Sequence, residues 1–199
     1  MPVKKSGRVR IDGGKWRGRY LSFDSTQTIR PSKSIVKKTL FNWIRQSLAG
    51  ASCLDMFAGS GSLGFEAASQ GAEQVVFLDS AAKTISVINK NIQLVDKAET
   101  KQLSAYLWEY PNNPVAEWQR PYDIIFIDPP FSTLALEECL DWLEEQQMLH
   151  TKSLIYIEMA KSSTWPSHQG FHTYKHASSG SVQFGLLIPQ SEEKAHVKS

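Results

Sequence analysis

The sequence predicts an α/β protein: a mainly parallel, seven-stranded sheet flanked by helices, with an N-terminal β-hairpin extension. Three observations carry this. Beyond residue 50, short apolar runs alternate with amphipathic segments, the pattern of strands joined by crossover helices. A glycine-rich stretch, Gly59-Ser60-Gly61-Ser62-Leu63-Gly64, follows the first of these runs directly. Before residue 50, short strand-like runs flank Asp12-Gly13-Gly14, which reads as a hairpin turn.

The elements follow in order. Residues 1–7 form a basic tail, and residues 8–32 form the hairpin extension. Residues 33–189 form the main domain, and residues 190–199 a polar tail. A helix is expected from Ser34 to Leu48, with Val36, Leu40, Ile44 and Leu48 as its apolar stripe and Gly50 as its stop. Strands are expected at Cys53–Met56, Val75–Asp79, Thr100–Ala105, Tyr122–Asp128 and Leu154–Glu158. Ile85, Ile88, Ile92 and Val95 mark the helix after the second strand. Residues 109–121, with three prolines and two asparagines, read as loop or broken helix. Leu136, Cys139, Leu140 and Leu143 mark a helix after the fourth strand. Phe171–His176 and Val182–Ile188 close the sheet as a hairpin.

Composition limits the function classes. No apolar stretch reaches the roughly 18 residues of a membrane span, and no signal-peptide pattern opens the chain. Cys53 and Cys139 stand alone, which argues against a disulfide framework and favours a reducing, cytoplasmic setting. Neither has Cys or His neighbours at ligand spacing, so no metal site is expected. The formal charge of +2 hides an asymmetry. Residues 1–50 carry twelve Lys/Arg against two acids, a net of +10, while the remainder carries ten against eighteen, a net of −8. A basic arm on an acidic body suits a polyanionic partner. Arg10, Lys15, Arg17, Arg19 and Arg30 are the expected contacts, interleaved with Trp16 and Tyr20. Trp16 could equally pack the hairpin onto the body.

The candidate chemistry lies at strand ends. In open α/β sheets, ligands bind outside the carboxyl ends of the strands. The glycine loop satisfies G-x-G-x-x-G in strand–loop–helix context, which suits either a dinucleotide or S-adenosylmethionine. Asp55, four residues before Gly59, can meet an ammonium group but would repel a pyrophosphate. Asp79 ends the second strand, where it can accept ribose hydroxyls; its plain alternative is a helix N-cap. Asp128-Pro129-Pro130-Phe131 ends the fourth strand. Consecutive prolines stop a strand. The turn then presents a carboxylate and carbonyls that can accept hydrogen bonds from an exocyclic amino group, with Phe131 to stack on the base. An ordinary strand-ending turn is the alternative for Asp-Pro-Pro alone. The combination favours methyl transfer over hydride transfer.

These motifs carry a resemblance. Phe57-Ala58-Gly59-Ser60-Gly61 with Asp128–Phe131 looks like the class I methyltransferases, of Rossmann-like fold, that act on amino groups of bases. Ile11-Asp12-Gly13-Gly14-Lys15-Trp16-Arg17-Gly18-Arg19, Arg30-Pro31 and Thr39-Leu40-Phe41-Asn42-Trp43 resemble the bacterial RsmD family, from about Arg8 to Ile188. The resemblance implies S-adenosylmethionine-dependent methylation of guanine N2 in small-subunit ribosomal RNA, free or in an assembling particle, by a monomer. It makes Asp55, Phe57, Gly59, Gly61, Asp79 and Ser104 cofactor contacts, and Asp128, Pro129, Pro130 and Phe131 the target-base site. Two departures stand out: Ala81 replaces a frequent second acid, and Ser104 stands where an Asp or Asn commonly meets the adenine amino group, which predicts weaker cofactor binding. Two other functions share these features: adenine-N6 methylation of DNA or RNA, and a non-catalytic RNA-binding assembly factor.

Overall fold

The computed structural model describes residues 6–24, 31–96, 101–115, 117–129 and 136–190. An antiparallel pair opens the chain, β1 (Ser6–Arg10) with β2 (Tyr20–Asp24), in register Arg10↔Tyr20. The turn between them is longer than the glycine doublet predicts and runs on to Gly18. Gly14 and Gly18 both adopt positive φ, 72° and 85°. The Lys15 and Trp16 N–H groups donate to the Ser69 carbonyl (2.7 Å) and Ser69 Oγ (2.9 Å), so neither can join a strand ladder.

Helix α1 (Pro31–Ile44) begins three residues before the expected start, with proline in the first turn, where its missing N–H costs nothing. A single 3₁₀ turn, Arg45–Ser47, and Gly50 at φ 75° end it. Then come β3 (Ser52–Asp55), α2 (Ser62–Gln70), β4 (Gln74–Asp79), α3 (Ala82–Val95), β5 (Gln102–Leu107), β6 (Ile124–Ile127), α4 (Leu136–Glu145), β7 (Leu154–Ala160), β8 (Phe171–Ser179) and β9 (Val182–Pro189). The sheet order is β5-β4-β3-β6-β7-β9-β8. Its first five strands run parallel, and β9 and β8 add antiparallel at one edge, as the sequence predicts.

Parity along the strands sorts side chains between two cores. Cys53, Phe77, Phe126 and Tyr156 face the layer of α1, α2 and α3. Leu54, Val76, Ile125, Ile127 and Ile157 face α4 and an aromatic cluster of Trp108, Trp118 and Trp142. No described helix is long and apolar enough to cross a membrane.

Candidate active site at the carboxyl edge of the sheet

Four adjacent strands each close an apolar run with an acid: Asp79 at the end of β4, Asp55 at the end of β3, Asp128 just after β6 and Glu158 on β7. Each acid lies two residues beyond a side chain of the first core, so all four share one face. Asp55 pairs in register with Phe77 and Phe126 and is therefore one side-chain repeat deeper than Asp79 and Asp128. It is buried.

The glycine loop wraps this row. Gly59 and Gly61 take positive φ, 50° and 72°, and α2 starts directly after Gly61. A Cβ on Gly61 would lie 2.8 Å from the Phe65 ring, so the tight turn excludes a side chain there. Asp55 Oδ2 accepts the Gly64 N–H at 3.0 Å. Asp79 accepts the Gly59 N–H at 2.9 Å through Oδ2 and the Ala81 N–H at 2.9 Å through Oδ1. Asp79 is not the N-cap of α3, a position held by Ala81; it braces the glycine loop and the turn that leads into α3. A carboxylate has about four acceptor positions, so two remain for a ligand.

Electrostatics mark the same place. Burial pushes the Asp55 carboxyl up to about 7; the Gly64 hydrogen bond opposes this, and the charges of Asp128 and Asp79 add to it. Mutually repelling carboxylates make an edge suited to a cationic ligand and hostile to a pyrophosphate.

Other expected site residues fall differently. Phe57 is half-buried and packs against the second core, on the opposite face from the acids. Ser104 pairs with Val76 in mid-strand, three residues before Leu107, which is the residue level with Asp79. The strand extends two residues past its expected end, which leaves Ser104 in mid-strand rather than at the carboxyl end where the acids stand. Asp128 is half-buried and Pro129 buried; Pro130, Phe131 and Arg30 lie outside the described residues.

The basic residues of the hairpin turn lie away from the acids, at the far end of α2. Helix α2 leaves the acid edge and ends at Gln70, and the turn holding Lys15 sits on Ser69. Nine helical residues span about 13 Å, so this turn is remote from the acids. Arg17 is exposed there. Arg19 donates through NH1 to the Val95 carbonyl at 2.9 Å and so caps the end of α3. Arg10 is exposed and 3.5 Å from Asp12. From Arg19 at Val95, β2 runs to Ser22 at Asn91, toward the start of α3. The open end of the hairpin, with exposed Arg8, therefore points toward the acid edge. Trp16 is buried and packs the hairpin onto the body.

Sequence reasoning missed Glu158, although its signal was present: Ile155-Tyr156-Ile157-Glu158 repeats the apolar-run-then-acid pattern of the other three strands. Both cysteines are buried and unbridged, and burial holds the Cys139 thiol up at about 12. Asp141, Glu144 and His168 gather at the surface, where His168 Nε2 lies 2.7 Å from Asp141 Oδ1.

The chain matches the family described as Conserved hypothetical protein 95 over residues 9–188. It is 36% identical to the ribosomal RNA small subunit methyltransferase D of Haemophilus influenzae, over 90% of this chain and 93% of that one. It is 34% identical to the Escherichia coli protein of the same name, over 94% and 93%. A solved structure of the Escherichia coli protein yhhF superimposes with a TM-score of 0.80 at 31% identity, covering 94% of this chain and 100% of that one. The fold is that of a class I methyltransferase, and the chain belongs to the Conserved hypothetical protein 95 family, the RsmD family of the small-subunit ribosomal RNA methyltransferases D.

Proposed function

We propose that the protein is an S-adenosylmethionine-dependent methyltransferase that modifies the exocyclic N2 of a guanine in small-subunit ribosomal RNA. The observation that supports it best is the Asp128-Pro129 turn standing beside a buried, loop-wrapped Asp55 on the neighbouring strand.

The residues present fit this cofactor. It is cationic at both its ammonium and its sulfonium, and it would meet Asp55, Asp79 and Asp128 around a loop whose glycines leave room for its amino-acid end. Asp55 would hold the ammonium, and the remaining lone pairs of Asp79 would take the ribose hydroxyls. When bound, S-adenosylmethionine supplies a methyl group activated by the sulfonium that carries it.

The protein's task is alignment, which can contribute on the order of 7–11 kcal/mol. The amino nitrogen of guanine is a poor nucleophile because its lone pair is delocalised into the ring. Asp128 and the Pro129 carbonyl accept its N–H bonds, favour a pyramidal nitrogen and aim its lone pair. Phe131 stacks on the base. A base must be unpaired or flipped out to reach such a turn, which suits a loop nucleotide. Arg8 and Arg10, on the hairpin strand that leads to the acid edge, hold RNA near the target, while Lys15 and Arg17 grip phosphates farther away.

The test is incubation with methyl-labelled S-adenosylmethionine and undermodified small ribosomal subunits, followed by nucleoside analysis. Labelled N2-methylguanosine is expected. Asp128→Ala should lower its rate at least about 10²-fold, in line with loss of a preorganised polar contact, while S-adenosylhomocysteine still binds. Labelled N6-methyladenosine would overturn the guanine assignment, and normal turnover in Asp128→Ala would overturn the role given to that residue.

A further inference from the structure

An amino group is common to guanine, adenine and cytosine, so a turn that accepts amino N–H bonds does not by itself choose among them. The choice requires a group at the neighbouring ring position. Guanine presents an N1–H donor beside its amino group, whereas adenine presents an N1 lone pair beside its own. A carboxylate at that level would favour the first and repel the second.

The structure holds such a carboxylate. Ile127 of β6 pairs with Ile157 of β7, so the next residues along, Asp128 and Glu158, stand side by side on adjacent strands. Strands lie about 4.8 Å apart, the scale on which two acceptors can serve two adjacent N–H groups of one base edge. Two residues earlier, on the same face, the Phe126 and Tyr156 rings meet edge-on at 6.3 Å and 66°. Glu158 is 4% exposed, a level at which a glutamate is seldom found unless paired. Its Oε2 accepts the Tyr156 hydroxyl at 2.9 Å. That bond fixes the orientation of the carboxylate, leaving its other oxygen as an acceptor site on the same edge. Burial, together with the charges of Glu158 and Asp128, holds the Tyr156 phenol well above its ordinary value, so it stays a donor.

We propose that Glu158, positioned by Tyr156, determines base specificity by accepting the N1–H of the target guanine while Asp128 accepts from the adjacent amino group. This rests on the guanine-N2 reading above. The selectivity comes from two effects: a hydrogen bond accepted from the right base, and an acceptor oxygen facing a lone pair, with no bond made, in the wrong one.

2-Aminopurine separates these features, because it keeps the 2-amino group and replaces N1–H with a lone pair. Once the wild-type product has located the target nucleotide, a synthetic RNA fragment is made with guanine or 2-aminopurine there. Wild type should favour guanine by roughly ten- to a hundredfold in kcat/KM, the discrimination expected of one well-placed base contact. Glu158→Gln presents an amide that can donate to N1 and should bring the two substrates within about threefold. In fluorescence titrations this variant should bind the 2-aminopurine RNA as tightly as the guanine RNA, with S-adenosylhomocysteine affinity unchanged. Tyr156→Phe keeps Glu158 but releases it, and should give an intermediate ratio even if the glutamine variant fails to fold. An unchanged ratio in the folded variants would overturn the proposal while leaving N2-methylguanosine formation intact. Absence of N2-methylguanosine from wild type would instead overturn the underlying reading, and the proposal with it.

Discussion

At the scale of single residues, Asp55 couples the site to pH. Its carboxyl sits near 7 when folded, against 3.8 for the free group, so the folded state holds a proton that the unfolded chain releases. That proton's contribution to stability is complete below about pH 3.8 and is lost as pH rises through 7. A ligand ammonium reverses the preference, since it pairs with the ionised form. S-Adenosylhomocysteine should therefore bind more tightly as pH rises from about 5.5, by up to tenfold per unit, and level off above about 7 as one proton ceases to be released. Calorimetry in two buffers of different ionisation enthalpy reads both the affinity and the proton. Asp55→Asn should bind more weakly with no slope in this window; a slope retained in that variant would assign the titration elsewhere. Asp79 was legible in the sequence because it ends the strand that follows the glycine loop and its helix, and Asp55 and Asp128 because each closes an apolar run just before a glycine or proline signal. Glu158 closes a similar run without one, and only the strand order brings it beside Asp128.

Among the elements, the hairpin shows what a linear reading can and cannot give. Its existence follows from the glycines and the apolar residues on either side. Where its charges point does not, because that depends on which backbone groups of α2 capture the turn. Lys15, Arg17 and Arg19 look equivalent in sequence, yet Arg19 spends its guanidinium on the last carbonyls of α3. The substitutions should separate accordingly. Arg19→Ala removes a charged cap at a helix C-terminus and should cost about 1 kcal/mol of stability, read as a lower midpoint in urea. Arg17→Ala should leave that midpoint alone and reduce the slope of log affinity for RNA against log salt by nearly one. If both variants changed RNA affinity equally and neither changed stability, the capping role would be wrong. A similar limit applies to β5, where the end of the strand determines whether Ser104 reaches the edge, and strand ends are set by pairing with β4 rather than by local residues.

For the whole molecule, the polarised charge suggests a basic arm carried on an acidic body, and the packing joins the two closely. Glu66, on α2 and only 1% exposed, accepts the Asp12 and Gly13 N–H groups at 2.9 and 2.7 Å. The same carboxylate meets Lys37 Nζ of α1 at 3.1 Å, and Lys37 also reaches Asp12 at 3.0 Å and the Arg10 carbonyl at 3.0 Å. One buried acid thus ties the hairpin, the first helix and the helix that carries the glycine loop. The sequence hides this because Glu66 and Lys37 look like ordinary helix-surface charges, and their burial depends on the hairpin that covers them. Glu66→Ala leaves a buried ammonium short of its partner and two backbone N–H groups unsatisfied. It should destabilise the protein by about 3–5 kcal/mol. Glu66→Gln keeps acceptor capacity for the backbone groups and should cost less. Because hairpin and body share this network and one core, wild type should unfold in a single transition, with tryptophan fluorescence and far-ultraviolet dichroism coincident. Trp16 lies at the junction, so an early fluorescence change preceding loss of helix would show that the hairpin detaches first. In Glu66→Ala the two signals should remain coincident at a lower midpoint. If they separate instead, the network is the latch of a distinct arm rather than part of one cooperative unit.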